Sequence, residues 1–208
     1  MAMQILIVAA TQAEIEPLTT HFDPAKPFDV LITGVGMVAT AFALGGHLQV
    51  KKYDLAINLG IAGSFDRNIA LGEVVEVTED ELSELGAEDD MDFIPIAKMG
   101  FGESRYVSSA NIDTGLRKVS AITVNTVHGN EVSIGKIKSR LNPQLESMEG
   151  AAFFYACEKS GLPCLQIRAV SNYVEKRNRD NWQTGLAIKN LNNFAIDLIN
   201  KYGLVWFS

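Results

Sequence analysis

"QIRAVSNYVEKR", residues 166–177, continues an apolar run that starts at Cys164 and ends in the polar pair Ser171 and Asn172, followed by a charge-rich segment. The run has the look of an interior strand. In an α/β protein, the loop beyond such a strand end is where binding and catalytic groups gather. Working outward, "QILIVAA", "DVLITG", "DLAINLG", "EVVEVT" and "AITVNT" read as further strands, most of them apolar on both faces. Between them, "MVATAFALGGHLQVKK", "EGAAFFYACEKSG" and "NWQTGLAIKNLNNFAIDLINKY" have helical period, although Gly45 and Gly46 weaken the first. The last sets Ala187, Leu191, Phe194, Leu198 and Tyr202 along one face. This alternation predicts an α/β fold: a single domain over residues 1–208, with a central twisted mixed β-sheet flanked by helices.

A chain of 208 residues that is 47% hydrophobic and 21% charged can bury one sizeable core. Its formal net charge of −7 argues against a nucleic-acid or polyphosphate surface and leaves small molecules or protein as partners. The start, "MAMQILIVAATQAE", lacks a basic leader region, and its apolar run is too short to cross a bilayer. A cytoplasmic protein without membrane contact is expected. Cys157 and Cys164 read as packing thiols, with neither metal nor cofactor implied. The acidic stretch of residues 78–109 reads as a solvated excursion between core elements, with Gly100 and Gly102 suiting a mobile loop.

Four places could hold chemistry. Thr11 and Glu14 have the spacing of a capping box, but a carboxylate in the first helical turn beyond a strand also projects into the crevice, where it could take a proton from water. Two glycine turns, around Gly34 and Gly36 and around Gly60 and Gly63, allow close approach of a flat ligand. The first has Ala39 where a dinucleotide fingerprint needs a third glycine. Met148 and Glu149 precede a small-residue helix; the acid either stabilises the helix start or meets a hydroxyl-rich ligand. His128 follows a strand and reads first as a solvated loop residue.

In this order the residues resemble the nucleoside phosphorylase and nucleosidase superfamily, from the first strand to the last helix. "VAATQAEI" is similar to the family's first loop and implies a catalytic acid at Glu14. "INLGIAG" resembles the turn lining base and ribose, here Ile61, Ala62 and Gly63. "SMEG" matches the pair that packs under and hydrogen-bonds the ribose, Met148 and Glu149. "RAVSN" resembles the base-recognition strand end, which implies that Ser171 and Asn172 face a purine, with Val127 and His128 where family members stack on or hydrogen-bond the base.

Phosphorylases of that superfamily hold phosphate with arginines in the first loop and beside the second glycine turn. Here those places read "ATQAE" and "AINLGIAG", so water is the expected nucleophile. Adenine-specific nucleosidases have Asp after the serine. An amide at 172 offers a donor as well as an acceptor, which suits a 6-oxopurine whose O6 and N7 both accept. With "VSNYVEKRNRDNW", this resembles the futalosine hydrolases, which implies cleavage of futalosine to hypoxanthine and dehypoxanthine futalosine in menaquinone biosynthesis, by a homo-oligomer. Arg177 or Arg179 could meet the substrate's distal carboxylate. The alternatives are a 5′-methylthioadenosine/S-adenosylhomocysteine nucleosidase, or a non-catalytic nucleoside-binding protein in which Glu14 only caps its helix.

Overall fold

The structure, a computed structural model, describes residues 3–203. Its elements in chain order are β1 (Ile5–Ala9), α1 (Gln12–His21), β2 (Asp29–Ile32), α2 (Met37–Val50), β3 (Leu55–Ser64), β4 (Val74–Leu82), β5 (Gly86–Asp89), β6 (Asp92–Pro95), β7 (Arg105–Val107), β8 (Arg117–Thr123), α3 (Glu131–Leu141), β9 (Leu145–Ser147), α4 (Gly150–Ser160), β10 (Cys164–Tyr173) and α5 (Thr184–Gly203).

Eight strands form one mixed sheet in the order β10, β4, β8, β9, β3, β1, β2, with β7 beside β4. A further pairing of β10 with β3 closes β3, β10, β4, β8 and β9 into a ring. The expected twisted mixed sheet is therefore partly a barrel, and β1 and β2 extend from it as an open wing. Strands β1, β2, β3 and β10 are mutually parallel through their pairings, so their carboxyl ends share one rim.

β1 explains why the core has two sides. All five of its residues are buried. Alternation sends Leu6 and Val8 into a cluster with Leu44, Leu48, Phe153 and Phe154 of α2 and α4, while Ile5 and Ile7 join Ile15, Leu18, Leu191 and Leu198 of α1 and α5. The face read on the last helix is the face that packs: Ala187 and Leu191 are fully buried, and Phe194, Leu198 and Tyr202 join the same cluster. Gly45 and Gly46 do not interrupt α2.

The acidic stretch departs from expectation. β4 runs on through Leu82, and Asp80 and Glu81 are buried rather than solvated, because that half of β4 lies between β7 and β8. The β5–β6 hairpin that follows and the turn after it, residues 97–103, form the exposed excursion. Gly100 and Gly102 sit at positive φ with open space around them. Helix α3, with Asn130 as its side-chain cap, and the short β9 had no counterpart in the sequence reading. Among the described residues, no helix is long and apolar enough to cross a membrane.

Candidate functional site

The shared rim gathers the candidate residues around the carboxyl half of β3. At its Gly60–Ile61 end lies Glu14. Glu14 and Thr11 form the reciprocal capping box, in which one carboxylate oxygen accepts from the Thr11 backbone N–H at 3.0 Å; the same oxygen accepts from the Thr11 hydroxyl at 2.9 Å, and the other accepts from the N–H of Ile61 at 3.1 Å. The carboxylate thus caps α1 and also reaches β3 at Ile61. A carboxylate offers about four lone-pair sites, so three bonds leave one open.

Over the same glycine reaches a residue given no role from sequence. A Cβ on Gly60 would stand 2.1 Å from Nη1 of Arg168 and 3.0 Å from the Glu14 carboxylate, so only glycine lets both arrive. Arg168 is 1% exposed, and such a cation needs partners. Its Nε and Nη2 donate to Gln166 Oε1 at 3.0 and 2.9 Å, Nη2 donates to Asn58 Oδ1 at 2.5 Å, and Nη1 lies 4.0 Å from Glu149. Gln166 in turn donates to Asp80 at 3.0 Å, which also accepts from Thr123 at 2.8 Å. Burial pushes the Asp80 carboxyl up to about 6, against the hydrogen bonds from Gln166 and Thr123 and the charge of Arg168. A charged residue inside an apolar strand is the sequence signal for Arg168.

Glu149 occupies the N-cap position of α4 without capping it. The hydroxyls of Ser147 and Thr123 take the N–H groups of Gly150 (3.3 Å) and Ala151 (2.7 Å) instead. The carboxylate turns to the N–H of Gly36 at 3.0 Å and of Met148 at 3.3 Å. Of its sequence alternatives, the helix-start cap is therefore not the one realised. Met148 is half-buried beside it.

At the Gly63 end, three strands line up. Asn172 pairs with Gly63 from one side and Glu146 pairs with it from the other. A Cβ on Gly63 would stand 3.2 Å from the Asn172 amide nitrogen and 3.6 Å from Cγ of Glu146. The β10 register slips between Val170 and Asn172, a bulge that re-aims the polar pair, and the strand continues through Tyr173. Ser171 is buried; its hydroxyl donates to Asn172 Oδ1 at 2.8 Å and also lies 3.2 Å from the carbonyl of Ala62. That contact fixes the amide: Oδ1 is occupied, and Nδ2 donates to the Tyr173 carbonyl at 3.1 Å with its second N–H spare.

His128 is not a solvated loop residue. Its backbone N–H donates to Glu146 Oε1 at 3.0 Å, and its Nδ1 meets Oε2 at 2.7 Å. His128, Val127, Glu146, Asn172 and Gly63 line one cavity with Arg177 and Trp182 of the loop after β10. Arg177 lies 5.2 Å from the Trp182 ring, and Arg179 is exposed at 5.9 Å from it. Cys157 and Cys164 are buried free thiols. No group of three or more His, Cys, Asp or Glu side chains is placed to hold a metal ion among the described residues.

The family described as the phosphorylase superfamily matches residues 25–200. The chain belongs to the phosphorylase superfamily. Within it, the chain is 33% identical to the futalosine hydrolase of Streptomyces coelicolor over 183 residues, 82% of this chain and 77% of that relative. Superfamily structures with the same fold include the Helicobacter pylori 5′-methylthioadenosine/S-adenosylhomocysteine nucleosidase with butyl-thio-DADMe-Immucillin-A, at a TM-score of 0.83 and 15% identity, covering 96% of this chain and 99% of that one. The native futalosine hydrolase of Helicobacter pylori aligns at a TM-score of 0.81 and 14% identity, covering 96% and 98%.

Proposed function

We propose that this superfamily member is a single-domain futalosine hydrolase, cleaving the N-glycosidic bond of futalosine to hypoxanthine and dehypoxanthine futalosine in menaquinone biosynthesis. The observation that supports this best is the amide at 172, which lines the cavity with its oxygen engaged by Ser171 and one N–H left as a donor. A 6-oxopurine presents O6 and N7 to such a donor, whereas adenine places an amino group beside N7. Similarity to the Streptomyces coelicolor futalosine hydrolase points the same way.

In this reading Glu14 takes a proton from water through its open lone pair as the water attacks C1′. General-base help of this kind is worth about 10²–10⁴-fold. Glu149 and Met148 hold the ribose, Ile61, Ala62 and Gly63 supply the backbone surface beside base and sugar, Val127 lies against the base, and no cofactor takes part. Arg168 balances Glu14 and Glu149, so that two carboxylates can share the cleft.

In this reading the enzyme is cytoplasmic and a homo-oligomer, and the exposed apolar side chains Val35, just before α2, and Val38 and Phe42 in it suit a second copy of the chain. A 5′-methylthioadenosine/S-adenosylhomocysteine nucleosidase is the second reading, favoured by curated relatives of that name at 28% identity and below. Release of hypoxanthine from futalosine and of adenine from 5′-methylthioadenosine, each with and without phosphate, separates these. Faster cleavage of futalosine, unaffected by phosphate, is expected. Faster adenine release would reverse the assignment.

A further inference from the structure

An amide at position 172 can hold a departing purine but cannot protonate it, so a hydrolase built on this chain needs a proton source elsewhere in the base cavity. The only histidine and carboxylate in hydrogen-bond contact among the residues lining that cavity are His128 and Glu146. Glu146 shares a row across β9, β3 and β10 with Gly63 and Asn172. Over that glycine, which has no side chain, the Asn172 amide nitrogen and Cγ of Glu146 come within 3.2 and 3.6 Å of where a Cβ would stand, so the two side chains converge at one wall of the cavity.

The pair is built as an oriented imidazole. Both carboxylate oxygens of Glu146 face His128, one on its backbone N–H and one on Nδ1. The acid is 3% exposed in its side chain and the histidine 14%. With Nδ1 engaged, Nε2 is the ring nitrogen left without a protein partner, on a ring that lines the cavity. Phe65 packs edge-on against the imidazole at 6.0 Å between ring centroids, which further fixes its plane. Burial raises the Glu146 carboxyl, and the His128 ring opposes that rise. The other charged groups facing the pair are Glu84, beyond β4, and Glu175 and Arg177, beyond β10.

We propose that His128, held by Glu146, is the general acid that protonates the leaving purine. The inference rests on the hydrolase reading above. As the C1′–N9 bond breaks, its electron pair passes into the purine and Nε2–H of the imidazolium gives its proton to a ring nitrogen. Water bonds to C1′ and gives a proton to Glu14. The neutral base departs, and solvent returns a proton to His128 and removes one from Glu14. His128 is then a catalytic residue and Glu146 a positioning residue.

The test compares inosine with 4-nitrophenyl β-D-riboside, whose leaving group departs without protonation. His128→Asn keeps a donor toward Glu146 but removes Nε2; Glu146→Gln keeps the shape and removes the charge. Both should lose about 10²-fold or more in kcat on inosine, with a much smaller loss on the nitrophenyl riboside; His128→Asn should lose the alkaline limb of the kcat profile on inosine, and Glu146→Gln should move that limb to lower pH. Equal losses on the two substrates in either folded variant would overturn the proposal by giving the pair a structural role. A wild-type protein that cleaves neither riboside nor futalosine removes the hydrolase reading itself, and the inference with it.

Discussion

Glu14 serves two ends with one side chain: one oxygen closes the start of α1 and the other meets β3 at Ile61. Glu14→Gln separates cap from base. The amide keeps one acceptor oxygen, so the cost in stability should be about 1 kcal/mol or less. Turnover on futalosine should fall about 10²–10⁴-fold. Thermal unfolding and kcat together check this, and a variant within tenfold of wild type would leave Glu14 a cap alone. At this scale much was legible, because Glu14, Met148, Glu149, Ser171 and Asn172 are polar or bulky groups at the ends of elements, where interior packing does not require them. Arg168 and Glu146 were not legible. Each sits in a strand, and the sequence does not say that the strand faces a cleft rather than a helix.

At the scale of elements, β4 shows how neighbours override composition. Its acidic half reads as solvent-facing, yet β7 and β8 enclose it and Asp80 is fully buried. Its folded carboxyl, at about 6, lies above the ordinary 3.8, so the folded state holds a proton that the unfolded chain releases. Stability from this group is complete below about pH 4 and is lost as pH rises through 6. The unfolding free energy of wild type, relative to Asp80→Asn, should therefore fall by on the order of 3 kcal/mol between pH 4 and 7. Urea denaturation across that range checks it; parallel curves for the two proteins would show that Asp80 does not titrate in this window. β9 illustrates the opposite limit. Three residues have too short a period to announce a strand, but they place Glu146 beside Gly63.

Taken whole, the molecule leaves α2 with an unusual outer face: Phe42 is 85% exposed and Val38 77%. If a second copy covers it, Phe42→Glu should convert a dimer or larger assembly to monomer in light scattering after size exclusion, with a fall in kcat/KM if the neighbour completes the site. A wild-type chain that runs as a monomer would end that expectation. The sequence by itself determined the α/β class, the main strands and helices and the amphipathic face of α5, because hydrophobic period is a local property written along the chain. It also marked most of the rim residues. Only the tertiary structure decided that the sheet closes through β10 and β3, that Asp80, Gln166, Arg168 and Asn58 form one buried chain of hydrogen bonds, and that His128 rests on Glu146. Those are pairings between residues as much as 110 positions apart, and which strands meet follows from the burial of every face at once.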